Sequence, residues 1–218
     1  RKLSGDNPPE FLLTHPVTSS RISDAFNSAD QLEITGGKKN TLNFELVKGK
    51  LKARYNSSSP QAAKRYFETM HQNDPTNENT FAYIASLKSS GNFQEAINLN
   101  NKLIEKFPKN LILNITKAEI FLSAQQYDAA KKSIEEVLRI SPKNFPASVL
   151  KAKILSAQNA SIEAEEILRD LLIKKNKDPS IWMQLSEIQR AGKNIVGYHL
   201  SKGEYYLLIG DFQNALNQ

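Results

Sequence analysis

Two stretches that repeat each other decide the fold: FQEAINLNNKLIEKFPKN at 93–110 and YDAAKKSIEEVLRISPKN at 127–144, which lie 34 residues apart. Ala96 aligns with Ala130, and Ala164 follows at the same interval. A period of this length is typical of solenoids built from pairs of antiparallel helices, because one pair alone cannot bury both of its apolar faces. The repeat therefore predicts an all-α solenoid.

The repeated positions resemble those of the tetratricopeptide repeat (TPR) family. Small residues occupy the positions where the two helices of a repeat cross, namely Ala96, Ala118, Ala130, Ala152 and Ala164. Larger residues occupy the contact position of each first helix, namely Leu87, Phe121 and Leu155. The resemblance implies an all-α, TPR-like helix-turn-helix solenoid with an irregular helical leader. The expected repeats span about 42–76, 77–110, 111–144 and 145–178, with an irregular unit at 179–218.

Details of the helices follow from spacing and capping residues. Leu42, Leu46, Leu51 and Tyr55 are expected on one buried face of the first helix. Ser59 followed by a proline predicts the start of the second helix. The helix at about 194–208 is expected to act as the second helix of one repeat and the first helix of the next, because the register shifts by half a period there.

Composition excludes several kinds of site. The 218 residues contain no cysteine, which removes disulfides, thiolate catalysis and cysteine-based metal sites. The three histidines, His15, His71 and His199, do not have the one-turn spacing of a zinc-binding helix. Glu163, with the glutamates that follow it, suits a helix start rather than catalysis. The sequence contains no run of about 18 apolar residues, so no membrane span is predicted. No catalytic residue is predicted in this chain either.

The positive charge is concentrated in one region. The net charge is +6, yet residues 36–66 hold eight lysines and arginines against Glu45 alone. We interpret this region as a solvated face beside an acidic neighbour. A surface for nucleic acid or anionic lipid is the alternative. The region offers no aromatic stacking platform apart from Phe44 and Tyr55, which also fit a helix core. No nucleic-acid partner is therefore expected.

The leader carries a second resemblance. The segment PPEFLLTHP at 8–16, followed by Arg21-Ile22, resembles the end of the catalytic domain of BepA-type periplasmic metallopeptidases. These are HExxH zinc proteases with a C-terminal TPR domain. The resemblance implies that residues 1–30 are the tail of a metallopeptidase domain, 31–41 a linker and 42–218 the solenoid.

The resemblance also implies where zinc chemistry would lie. The chain has no HExxH motif, so zinc ligands must lie upstream of Arg1 or be missing, and no cofactor is expected in this chain. The parent protein would be a zinc metalloendopeptidase, and the chain is expected to be a fragment of it, with more sequence after Gln218. Carried over by position, His15 would be an additional, regulatory zinc ligand in the parent protein only.

Two functions are compatible with this interpretation. The first is a protein-interaction module of a BepA-like periplasmic zinc protease and chaperone. Its partners would be its own protease domain, protein substrates or unfolded peptides, and the outer-membrane β-barrel assembly machinery. The second is a stand-alone TPR scaffold or adaptor without protease activity. The leader segment with Arg21 favours the first, because a scaffold has no need of it.

TPR solenoids bind partners on the concave surface formed by their first helices. No ring of lysines and arginines that would hold a C-terminal carboxylate is evident, which favours extended or unfolded segments. Packing against neighbouring repeats is an equal alternative for Ile112 and Val149. The predicted groove consists of Phe81, Ala85, Lys88, Ile112, Ile115, Glu119, Leu122, Val149, Lys153, Ser156, Met183, Glu187 and Arg190.

Overall fold

The structure is a computed structural model that describes residue 23 and residues 41–55 and 59–218. Nearly all of the predicted leader and linker, including His15, lies outside the described residues. From residue 41 onward the described chain forms helices joined by short turns. They are α1 (Leu42–Tyr55), α2 (Pro60–Asn73), α3 (Asn77–Ser89), α4 (Phe93–Lys106), α5 (Leu111–Ser123), α6 (Tyr127–Ile140), α7 (Phe145–Ala157), α8 (Ser161–Lys175), α9 (Pro179–Ala191), α10 (Ile195–Leu208) and α11 (Phe212–Leu216).

Side-chain caps set the starts of several helices. Ser59 Oγ accepts a hydrogen bond from the Ala62 amide at 3.2 Å, as expected for the start of α2. Asn110 and Asn144, one period apart, cap α5 and α7 in the same way. Each cap satisfies an amide that has no partner inside the helix.

The period of 34 residues is also present in the backbone. The turn between the two helices of a pair places one residue at positive φ: Gly91 (81°), Gln125 (60°), Asn159 (64°) and Lys193 (59°). Gly210, at 80°, follows Lys193 by half a period. The turn after α10 therefore has the form of a turn within a pair, and α10 packs against both α9 and α11. This agrees with the dual role predicted for the helix at 194–208.

Consecutive helices from α3 onward form pairs α3/α4, α5/α6, α7/α8 and α9/α10, each packed on the next. The five alanines predicted at the helix crossings have no exposed surface. Around them, Leu103, Ile134 and Leu168 fill the interior. A residue without a long side chain lets two helix backbones approach, and the larger neighbours supply the buried apolar area. The predicted all-α, TPR-like solenoid is confirmed for the described residues.

The first helices of the pairs form an inner layer. α5 contacts α7, and α7 contacts α9, in addition to their contacts with their own partners. Within residues 59–218, the second helices α4, α6 and α8 do not pack extensively on one another. The first helices are therefore closer together than the second ones, as on the concave side of a solenoid.

The position of α1 differs from the expected one. The prediction paired α1 with α2 in a repeat at 42–76. In the structure α1 packs chiefly on α3, while its contact with α2 is slight. Its buried face consists of Leu46 and Gly49, with Leu42 and Ala53 partly buried.

The outward face of α1 corrects the predicted buried face. Leu51 is 49% exposed and Tyr55 74% exposed. Phe44, which also fits a helix core by its sequence position, is 53% exposed. The buried face follows the helical period through Gly49 and Ala53. Because these residues are small, the positions of large apolar side chains do not reveal that they are buried.

Among the helices of the described residues, none is both long enough and apolar enough to cross a membrane.

The last two helices expose apolar side chains. Large apolar side chains on α10 and α11 are exposed, including Val196, Leu200, Phe212 and Leu216.

Candidate protein-binding surface

The candidate surface is the face of the inner layer formed by α5, α7 and α9. Lys153 on α7 and Arg190 on α9 are exposed. The remaining predicted positions on these helices are half-buried, namely Ile112, Ile115, Glu119, Leu122, Val149, Ser156, Met183 and Glu187. Such positions offer both apolar area and charge to a partner segment.

The alternative for Ile112 and Val149 was packing against neighbouring repeats. Both pack against buried clusters and keep part of their surface exposed. Ile115 and Leu122 pack in the same way against the cluster around α6 and α7. The same residues therefore stabilise the stack and form the floor of the surface.

Phe81 does not lie on this surface. Its side chain is 1% exposed and belongs to the core formed by α1 to α5. Its neighbours Ala85 and Lys88 on α3 are half-buried. The reason is the position of α1, which covers this part of the inner layer. We therefore leave Phe81 out of the proposed binding surface.

Glu119 forms two ion pairs in the part of the inner layer that α1 covers. Lys50 Nζ lies 3.0 Å from Glu119 Oε1, and Lys88 Nζ lies 2.8 Å from Glu119 Oε2. Desolvation raises the pKa of the Glu119 carboxyl, but the attraction of Lys88 and Lys50 outweighs it, and the net result is a lowered pKa. No sequence pattern signals Lys50 at this site, since it lies 69 residues before Glu119.

Glu119→Gln is expected to lower the free energy of unfolding by about 1–2 kcal/mol at pH 7, because the two ammonium groups lose their counter-charge. Because the pKa of Glu119 is lowered in the folded state, its contribution to the free energy of unfolding is present above the pKa of the unfolded chain. This contribution is lost as the pH falls through the pKa of the folded state. The difference between the two proteins should shrink below about pH 4.5. Urea unfolding at several pH values measures it.

The control for this experiment is Glu135→Gln. Glu135 is more exposed and lies 3.7 Å from Lys151, so its loss should cost less than about 1 kcal/mol. Equal losses for the two variants at pH 7 would contradict the role given to Glu119.

Three lysines of the basic region at 36–66 pair with acidic side chains. Lys48 Nζ lies 2.9 Å from Glu78 Oε2, and Lys52 also pairs with Glu78. Lys50 pairs with Glu119, as described above. For these three lysines the structure agrees with the interpretation of a solvated face beside an acidic neighbour. The absence of a nucleic-acid partner stays a prediction.

At the other end of the surface, the second helix α10 contributes a residue. Lys202 Nζ lies 3.2 Å from Met183 Sδ and close to the ring centres of Tyr205 (5.3 Å) and Tyr206 (5.4 Å). Arg190 pairs with Glu187 at 2.5 Å on α9. Sequence reasoning missed Lys202, since it projected only first helices onto the groove.

A polar cavity lies between α2, α3 and α4. Its volume is about 370 Å³, and its walls include His71, Tyr83, Glu95 and Lys102. His71 Nδ1 is 3.0 Å from Thr80 Oγ1, and the His71 ring stacks on Tyr83. Burial lowers the pKa of His71, and Lys102 lowers it further.

This pKa shift predicts a pH dependence of stability. A histidine whose folded pKa is lowered takes up a proton more readily in the unfolded chain, so stability falls as pH decreases below about 6.5. His71→Gln should show a shallower loss of unfolding free energy between pH 7 and pH 5 than the wild type. His199→Gln, an exposed position on α10, is the control and should keep the wild-type slope. A wild-type slope in the His71 variant would refute the assignment.

The described residues offer no cluster of metal ligands. Within them, no group of three histidine or acidic side chains is placed to hold a metal ion. His71 and His199 contact Thr80 and Gln218 instead. The described residues therefore do not fit the zinc that the family resemblance implies, and we derive no catalytic step from them.

Comparison with known proteins agrees with this geometry. Residues 121–188 match the family model described as tetratricopeptide repeat. This range begins near the end of α5 and covers α6, α7, α8 and most of α9. The match and the fold support a TPR-type repeat protein, and such a fold is that of a protein-interaction module.

The curated relatives that match this chain are distant in sequence. The chain is 25% identical to the beta-barrel assembly-enhancing protease of Yersinia pestis over 191 residues, covering 85% of this chain and 32% of the relative. It is 24% identical to the beta-barrel assembly-enhancing protease of Escherichia coli (strain K12) over 217 residues, covering 96% of this chain and 43% of the relative. The chain thus spans less than half the length of these relatives.

Solved structures show the same fold. A thermophilic TPR protein of Thermus thermophilus matches with a TM-score of 0.63 and 15% identity, covering 82% of this chain and 100% of the other. A tetratricopeptide repeat protein of Parabacteroides merdae matches with a TM-score of 0.55 and 14% identity, covering 90% of this chain and 80% of the other. At these identities the likeness concerns the fold alone.

Proposed function

We propose that residues 41–218 are a protein-binding module that holds an extended or unfolded segment of a partner on the inner faces of α5, α7 and α9. The observation that carries this proposal is the strip of half-buried apolar side chains, including Leu122 and Val149, that continues from helix to helix beside exposed charges such as Lys153. Half-buried apolar side chains can contact a partner without a preformed pocket. They can therefore bind a segment that is unfolded before it binds.

The finer proposal is a role like that of the assembly-enhancing proteases. It is supported by the distant relatives, which align with 96% of this chain in the Escherichia coli case, and by the resemblance of the leader. The module would then recruit substrates or the outer-membrane β-barrel assembly machinery to a zinc metallopeptidase domain in the periplasm. In that protein His15 would be the additional, regulatory zinc ligand, and His15→Ala would raise proteolysis.

A stand-alone scaffold is the second candidate. The observation that favours it is the match to the Thermus thermophilus TPR protein, whose whole chain is covered by the repeats of this one. The solved chain of that TPR protein is therefore matched by this solenoid along its whole length. The scaffold would bind a folded partner or a specific peptide and would have no preference for unfolded β-barrel proteins.

Binding of an unfolded outer-membrane β-barrel polypeptide separates the two candidates. The full chain is titrated into a fluorescently labelled polypeptide diluted from urea, and anisotropy is measured. The same polypeptide folded in detergent micelles is the control. A preference for the unfolded form of about tenfold or more supports the protease-associated role. Equal or absent binding to both forms contradicts it and leaves the scaffold.

A further inference from the structure

Helix α1 lies on the inner surface itself, on α3 and against α5. It crosses α3 at Gly49, where an added Cβ would lie 2.4 Å from the Glu78 carbonyl oxygen. Its first turn reaches α5, since Asn110 Nδ2 donates to Asn43 Oδ1 at 2.7 Å. Its middle reaches α5 again through the pair of Lys50 and Glu119. The first helix of an ordinary repeat would not reach the first helix two repeats further on.

The side of α1 that faces α2 is open. A cleft of about 360 Å³ lies between α1, α2 and the end of α3, with Ala53, Pro60, Ala85 and Lys88 among its walls. Helix α1 is therefore attached mainly to the inner layer rather than to its neighbour in sequence. In this position it covers Phe81 and part of the surface formed by Ala85, Lys88 and Glu119.

The attachment of α1 combines an extensive contact with α3 and a set of polar contacts at its edges. Leu46 is its one large side chain without exposed surface in the described residues. Its other contacts include the partly buried Leu42 and Ala53 and the backbone approach at Gly49. Polar contacts add hydrogen bonds of Asn43 and Glu45 and ion pairs of lysines with Glu78 and Glu119. Four large apolar residues of α1 stay exposed: Phe44, Val47, Leu51 and Tyr55. The ion pairs of α1 are partly exposed, so water can replace them at little cost.

We propose that α1 is a tethered occupant of the inner surface, which a partner segment must displace to contact Ala85, Lys88 and Glu119. This inference rests on the proposed function, because it extends the proposed binding surface from α5 to α3 and assigns a regulation to the extended part. Release of α1 removes both lysines from Glu78 and one from Glu119, so the uncovered surface becomes acidic. The partner segment that replaces α1 is therefore basic and has a small residue where it crosses α3.

The size of the effect follows from a two-state equilibrium. If α1 covers the surface in about nine molecules of ten, a partner that needs the uncovered surface binds about tenfold more weakly than it would without α1. A change that releases α1 should therefore raise the apparent affinity of such a partner by about that factor, and a covalent lock should lower it further.

Release is tested with Gly49→Ala. The clash at position 49 is with backbone, so no side-chain rotation relieves it. The matched control is Gly203→Ala on α10, where an added Cβ meets only Gln218 Cβ at an ordinary 3.8 Å. Both changes replace a helical glycine by alanine, so both favour the helix itself to a similar degree. If the Gly49 variant does not fold by circular dichroism, Lys48→Glu with Lys52→Glu removes the pairs with Glu78 through exposed side chains instead.

The first probe is a labelled synthetic peptide of residues 41–55, TLNFELVKGKLKARY, which does not depend on the proposed function. It should bind the full chain carrying Gly49→Ala about tenfold more tightly than the wild type or the Gly203→Ala chain. Equal binding to all three chains would overturn the proposal that α1 can leave this surface and be replaced by another segment.

The second probe is the unfolded β-barrel polypeptide, used with a lock. Because the chain has no cysteine, Asn43→Cys with Asn110→Cys gives two thiols that a short reversible reagent can join. We expect the locked chain to bind the polypeptide at least about tenfold more weakly than the same chain after reduction. Equal binding before and after reduction overturns the inference. If the polypeptide binds no form of the chain, the proposed function fails, and the peptide experiment still decides whether α1 is exchangeable.

Discussion

Leu168→Ala is expected to lower the free energy of unfolding by about 2–5 kcal/mol. Leu168 lies in the middle of α8, has no exposed surface and packs in the cluster that joins α7, α8 and α9. Truncation removes transfer free energy and leaves a cavity that the surrounding helices fill only in part. Since each repeat of a solenoid is stabilised by its neighbours, the loss weakens the interface on both sides of α8.

Urea unfolding followed by circular dichroism measures this loss. Ile173→Ala is the matched control, because Ile173 lies on the same helix and is 79% exposed. Its truncation should change the free energy of unfolding by less than about 0.5 kcal/mol. Similar losses in the two variants would mean that the register of α8, and with it the packing of the repeat, is assigned incorrectly.

The second large effect concerns binding. Leu122→Ala combined with Val149→Ala is expected to weaken the binding of the unfolded β-barrel polypeptide about tenfold or more. Both side chains lie half-buried on the inner layer, and each truncation removes apolar area worth roughly 1 kcal/mol in contact with a ligand. A loss of about 1.4 kcal/mol corresponds to a factor of ten in the dissociation constant.

The control is a double truncation on the outer layer, Ile162→Ala with Ile173→Ala. These residues are 77% and 79% exposed on α8, so they offer apolar area to solvent without belonging to the inner surface. The outer variant should bind as the wild type does. Equal weakening by both variants would indicate non-specific apolar attraction. Circular dichroism and the unfolding midpoint establish that each variant is folded under the assay conditions.

The repeat could be predicted from the sequence because its physical signal is local. Small residues such as Ala96 and Ala130 recur where helices cross, and asparagines such as Asn110 recur where helices begin. Both recur at the same period. The turn residues are less evident, since Gln125 and Lys193 adopt positive φ without being glycine. There the surrounding pair of helices imposes the turn at some cost in strain.

The position of α1 could not be predicted in the same way. Its buried face uses Gly49 and Ala53, while its large residues Leu51 and Tyr55 point away. The contact of Lys50 with Glu119 joins residues that no local period relates. Long-range packing therefore overrode the spacing of large apolar residues, and the covered part of the surface became apparent only in three dimensions.

Site-specific photo-cross-linking tests the central claim most directly. A photoreactive amino acid replaces Lys153 on the inner layer in one chain and Ile173 on the outer layer in another, both exposed positions. Each chain is irradiated with the labelled unfolded β-barrel polypeptide. Cross-links from position 153 and essentially none from position 173 are the predicted result. Cross-links of equal yield from both positions, or from 173 alone, would contradict binding on the inner surface.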